Sequence, residues 1–115
     1  MALEDTIFAI QIVFLGRTKS LLDECAKEIA KRGGKCIPVV VDHSNDKEIE
    51  EFFKKIAKDE NGKLDVLVNN AFSAVSTISN SAGKPFYTLD PVNQWDSING
   101  VGLRGHYLCT VYASR

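Results

Sequence analysis

Two neighbouring amides, Asn69 and Asn70, close an apolar run at 64–68 and are followed by a small residue, Ala71. An amide both donates and accepts hydrogen bonds, and asparagine tolerates backbone angles that most residues avoid. At the exit of an apolar stretch such a pair can tie neighbouring backbone groups together or line a cleft. In open α/β sheets, ligands bind beyond the carboxyl ends of the strands, which is where these amides would stand. A plain turn after a strand accounts for them too, and both readings stay open at this point.

The run that leads to the amides is short and rich in β-branched residues, and it does not alternate polar with apolar. That pattern predicts a strand covered on both faces, as in parallel sheets. Two further apolar runs precede it. Residues 10–15 lead into Gly16-Arg17-Thr18, and 35–42 pass through Val39, Val40 and Val41 to Asp42. Pro38 cannot donate to a ladder, so the second run belongs at an edge or begins near the proline. Between the first two runs the spacing of Leu21, Leu22, Cys25, Ile29 and Ala30 predicts a helix. Ser20 is its expected cap, with Asp23 three residues on, and Gly33-Gly34 its stop. Between the second and third runs, Ile49, Phe52, Phe53, Ile56 and Ala57 form the apolar stripe of another helix. Its expected cap is Ser44 or Asn45, and Asn61-Gly62 ends it.

Residues 72–90 are small and polar, and they read as a long loop. Asp90 and Pro91 then open a last helix as cap and first position, carrying Trp95, Ile98, Val101, Leu108 and Val111. Gly100, Gly102 and Gly105 each cost about 1 kcal/mol in a helix interior, so they either admit close packing or mark a kink. Alternating strands and helices predict a parallel sheet with right-handed crossovers.

The bulk numbers narrow the function. A chain of 115 residues with net charge −1 suits one domain and argues against a nucleic-acid surface or a polybasic membrane anchor. Cys25, Cys36 and Cys109 are odd in number and lack Cys-x-x-Cys spacing, which predicts buried free thiols in a reducing compartment, cytoplasmic or facing the cytosol. The apolar stretch at 6–16 follows Glu4 and Asp5 rather than basic residues. It is too short to span a bilayer, so neither a signal peptide nor a membrane span is expected.

In this order the pieces resemble the short-chain dehydrogenase/reductase family of NAD(P)(H)-dependent oxidoreductases. "FLGR" at 14–17, "VVVD" at 39–42, "LDVLVNNA" at 64–71 and "WDSINGVGLRGHYLC" at 95–109 carry the likeness. The resemblance implies a partial Rossmann-like, doubly wound parallel sheet over 10–115, with three strands and three helices and without the first strand. Residues 1–9 would form a segment outside the family's domain. It also implies site roles. Arg17, with Thr18 and Lys19 and no acid nearby, would favour NADP(H) over NAD(H), and a solvated loop arginine is the alternative. Asp42 would accept a hydrogen bond from the adenine amino group, or else serve as a cap. Asn69, Asn70 and Ala71 match a turn that steadies the sheet and passes the cofactor ribose. The chain departs from the pattern twice: Phe72 stands where the family has Gly, and Gly102 where it usually has an Asn of the proton relay.

The resemblance places the glycine-rich phosphate loop before the run at 10–15, and the catalytic Ser and Tyr-x-x-x-Lys after Arg115. No catalytic residue is therefore expected within the chain, and no metal site. The reading is an internal piece of an oxidoreductase acting on a carbonyl/alcohol substrate, inactive alone. The alternative is a non-catalytic module that associates with the full-length enzyme. In the family's strand order the missing first strand is the central one, so the runs at 10–15 and 64–68 each lose a neighbour. Unpaired apolar edges invite self-association. The isolated chain is expected to sediment as oligomers or to unfold with a broad transition, and a sharply melting monomer would contradict this.

Overall fold

A computed structural model of the chain describes residues 11–115. The segment 1–9 and Ile10 of the first run lie outside the described residues. The chain divides into two compact units, 1–41 and 42–115.

The first unit is a strand–helix–strand crossover. β1 (Gln11–Gly16) and β2 (Lys35–Val40) pair in parallel, from Gln11 opposite Lys35 to Gly16 opposite Val40. The ladder continues where the Val41 N–H donates to the Gly16 carbonyl at 3.0 Å. Pro38 sits opposite Phe14 inside β2, and β2 pairs with β1 alone among the described residues, as an edge strand with a proline must. α1 (Lys19–Lys31) connects them and buries Leu22 against Gly16, where an added Cβ would stand 3.1 Å from a Leu22 methyl. Its cap position is Thr18, not Ser20, and no side chain caps it. Its end matches expectation. Gly33 takes φ +82°, its N–H donates to the Ala30 carbonyl and that of Gly34 to the Ile29 carbonyl. This is the paired-bond ending that glycine permits without strain.

The second unit is helical. α2 (Asp46–Asp59) is capped by Asn45, whose Oδ1 accepts from the backbone of Lys47 and Glu48. The Glu48 carboxylate accepts from the Asn45 side-chain amide at 3.0 Å and from the Asp42 N–H at 2.8 Å, while the Asn45 N–H donates to the Asp42 carbonyl, so the helix entry is fastened without a standard capping box. Ile49 and Phe53 of the expected stripe are buried, Phe52 and Ile56 half-buried, and Ala57 exposed. α2 ends at Asn61 (φ 53°) and Gly62 (φ 74°), whose N–H donates to the Ala57 carbonyl at 2.7 Å.

Three expectations change here. Residues 64–71 make no ladder among the described residues, so the sheet has two strands rather than three. Without a strand beside it the run is not covered, and Val66 and Val68 are 73% and 78% exposed. Residues 72–90 are not all loop: α3 (Val75–Ser81) and a 3₁₀ turn (Phe86–Thr88) lie within them. Their serine-rich sequence carries no clear helical stripe. Instead Ala74, fully buried, anchors the start of α3, a packing effect that propensity does not reveal. The last helix is three pieces, α4 (Pro91–Asn99), a π segment (Gly100–Gly105) and α5 (His106–Ala113). Asp90 caps α4 through the Asn93 N–H at 2.7 Å. α5 packs on α2, with the Phe53 and Tyr112 rings 6.2 Å apart. Cys109 is buried as expected, Cys36 is half-buried and Cys25 exposed on α1, and all three are free thiols.

Ile49→Ala is expected to cost about 2–5 kcal/mol of stability, as a large-to-small change in a packed core does. Val66→Thr is expected to stay within about 0.5 kcal/mol, as for an exposed surface position. Chemical denaturation checks both, and a Val66→Thr cost above that of Ile49→Ala would mean the run at 64–68 is covered after all.

Candidate functional site

Arg17 follows β1 directly and is exposed, in the first unit. The other four residues singled out by sequence, Asp42, Asn69, Asn70 and Ala71, belong to the second unit, where the π segment and α5 organise their surroundings.

Asp42 shapes the entry to α2. Its Oδ1 accepts from the Ser44 N–H at 2.9 Å and the Ser44 hydroxyl at 2.7 Å, while its carbonyl accepts from the Asn45 N–H. The carboxylate therefore holds a tight turn before the Asn45 cap. His43, the next residue, lies against Gly105: a Cβ added there would stand 3.2 Å from the His43 carbonyl oxygen. Burial pushes the His43 imidazole below its ordinary value, the proximity of His106 lowers it further, and Asp42 pulls the other way.

The turn after 64–68 is fixed by side chains instead of a ladder. The Asn69 amide donates to the Thr110 hydroxyl at 3.0 Å. The Ala71 carbonyl lies 2.8 Å from Nε2 of His106. The Ser73 hydroxyl donates to the Ser97 carbonyl at 3.0 Å. Asn70 is exposed, and its side chain makes no hydrogen bond among the described residues, so its donors and acceptor face water. The two amides thus differ: Asn69 fastens the turn to α5, and Asn70 is exposed.

His106, Thr110 and Ser73 were not singled out as anchors from sequence. The spacing of 102, 106 and 110 along one helix is the signal that could have found the first two. The Arg104 guanidinium forks onto both oxygens of the Asp46 carboxylate, joining the π segment to the start of α2. That contact holds the Asp46 carboxyl below and the Arg104 guanidinium above their ordinary ranges. Burial pushes the Cys109 thiol up, which disfavours its thiolate form. No cluster of His, Cys, Asp and Glu among the described residues could hold a metal ion, and no helix among them is long and apolar enough to cross a membrane.

A parallel strand–helix–strand unit, a carboxylate at the end of the second strand and an Asn-Asn-Ala turn define an α/β protein of Rossmann type. Residues 9–115 match the short chain dehydrogenase family, and the chain belongs to it. Among known proteins it is 44% identical over 104 residues to dehydrogenase/reductase SDR family member 1 of Mus musculus and of Homo sapiens. That match covers 90% of this chain and 33% of each relative, so the chain spans about a third of their length. A metagenomic short-chain oxidoreductase solved in complex with NADP shares the fold at a TM-score of 0.72 and 27% identity. The likeness covers 90% of this chain and 43% of that one.

The lowered His43 value carries a sign. The folded form prefers the neutral ring, so this contribution to stability is complete above the unfolded value of 6.5 and is lost as pH falls from there through the lower folded value. The thermal midpoint is expected to drop between about pH 7 and about pH 5, and His43→Asn to flatten that drop. An unchanged slope in the variant would remove His43 as the cause.

Proposed function

We propose that the chain is part of an oxidoreductase that moves a hydride between a nicotinamide cofactor, NADP(H) rather than NAD(H), and a carbonyl/alcohol substrate. The single observation that carries this reading is the Asn69–Ala71 turn (69–71), held to α5 with Asn70 left exposed. Membership of the family and the NADP-bound neighbour support it.

The cofactor, when bound, supplies or accepts the hydride. What this chain contributes is recognition. Arg17 provides a charged, planar donor for a 2′-phosphate, with no carboxylate beside it in the sequence to repel one. Asp42 provides an acceptor for an adenine amino group, and its position is fixed by the turn into α2. Taken separately, Arg17 in the first unit suits a phosphate by its chemistry, and Asp42 and the turn in the second unit suit adenine and ribose. The pyrophosphate calls for a glycine-rich loop, and the proton calls for a Tyr-Lys pair, neither of which the resemblance places in 11–115. The chain alone is therefore read as inactive. A second reading, a non-catalytic module docking on the full-length enzyme, is favoured by Trp95, Leu103 and Tyr107, all more than half exposed on the last helix.

The 115-residue chain is expected to show no micromolar binding of NADPH. In the protein translated with its flanking coding sequence, Arg17→Ala is expected to weaken NADPH about tenfold while leaving NADH unchanged, the scale of one charge-assisted hydrogen bond. Equal losses for the two cofactors would reject the phosphate role, and micromolar binding by the short chain would reject the need for the glycine loop.

A further inference from the structure

The two departures from the family pattern, Phe72 on the turn and Gly102 on the helix, are in contact. An ideal Cβ built at Gly102 would stand 3.1 Å from Cδ2 of the Phe72 ring and 3.5 Å from Cε2. The first distance is tighter than most side chains pack, so the ring would have to give way to a side chain growing from 102. Gly102 lies inside the π segment, between the partners of Ser73 and Ala71. As the turn advances through 69, 71, 72 and 73, its contacts step back along the helix through 110, 106, 102 and 97. Phe72 is the apolar rung of that series, and the other three are hydrogen bonds.

We propose that Phe72 is a positioning residue for the turn at 69–71, and that positions 72 and 102 form a matched pair with room for only one bulky side chain between them. This rests on the reading above that the turn borders the cofactor. The pair explains why two substitutions that each look damaging occur together. The resemblance implies a bare position on the turn and a side chain on the helix, and this chain reverses the arrangement. A ring at 72 removes the turn's bare position, and a bare 102 receives the ring. The surface next to Asn70 thereby carries a half-exposed ring, and the helix offers no polar side chain at 102.

The test compares Gly102→Asn, Phe72→Gly and the double variant in the full 115-residue chain. The readouts are the thermal midpoint and the NMR signals of the Asn69 side-chain amide and the His106 imidazole. Gly102→Asn alone is expected to lower the midpoint by several degrees and to shift both signals, because the displaced ring drags Ala71 and Asn69 off the helix. In the Phe72→Gly background the same change is expected to be neutral or stabilising, since asparagine suits a helix better than glycine and nothing then blocks it. If Gly102→Asn alone fails to fold, a folded double variant still supports the pair. A double variant that also fails while Phe72→Gly folds overturns it, as do equal shifts in both backgrounds. None of these readouts uses a nucleotide. Loss of the coupling with NADPH binding intact in the longer protein would sink the pair alone, and the reverse outcome would sink the cofactor reading alone.

Discussion

The second unit depends on how closely backbone can approach one helix. Between Gly100 and Gly105 that helix widens into a π segment, and two bare positions within it are filled from outside. Gly105 receives the His43 carbonyl so closely that an added Cβ would stand 3.2 Å from its oxygen, tighter than most side chains pack, and Gly102 receives the Phe72 ring. A π turn exposes backbone that an α-helix keeps covered, and glycine removes the Cβ that would keep neighbours away. The loop entering α2 and the turn after 64–68 both close onto this stretch. The glycines that weaken the helix by propensity are thus what allow it to gather two otherwise separate segments.

Electrostatics reinforce the same junction. Glu48 ties Asn45 and the Asp42 N–H together, and Arg104 reaches Asp46 at the first position of α2. An acidic first turn is favoured there by the partial positive charge of the helix terminus, so Arg104 meets a carboxylate already well placed. The other ion pairs, such as Lys19 with Asp23 and Lys54 with Glu50, lie exposed within single helices and add little beyond local helicity. What distinguishes the junction is that its contacts join elements far apart in sequence. His43 is the exception in sign: a half-buried imidazole beside His106, with Asp42 as partial compensation, costs stability whenever it takes a proton.

Elements whose signals are local were legible in the sequence. The Gly33-Gly34 and Asn61-Gly62 stops, the Asn45 and Asp90 caps and the parallel pairing of the first two runs follow from residue types over a few positions. The third strand was not legible, because an apolar run specifies only that it needs covering, while a ladder needs a neighbour. Val66 and Val68 carry the strand signal without that neighbour among the described residues, and they face water. α3 was hidden for the opposite reason: Val75, Ile78 and the small polar residues around them form no clear stripe, and buried Ala74 secures the helix through packing. At the start of α1 the sequence favoured Ser20, a good capping residue, yet the backbone turns extended two residues earlier, at Thr18. Of the site residues, Asn69, Asn70 and Ala71 were visible as a cluster. Their anchors were not, since His106 and Thr110 lie 35 and 41 positions away.

The asymmetry between the two amides has a physical origin in this arrangement. An extended segment in a sheet satisfies its backbone through its neighbours and leaves every side chain free for other work. Here the turn has no ladder, so side chains must do part of the fastening, and Asn69 gives its amide to Thr110. Asn70, next to it, makes no such contact and stays exposed. Ala71 is fastened again, through its backbone carbonyl to His106. Moving the segment by one residue would exchange the roles, placing Asn70 on Thr110 and leaving Asn69 in water. The anchors at 71 and 73 oppose that shift, and so the register of four residues against one helix leaves Asn70 as the exposed amide.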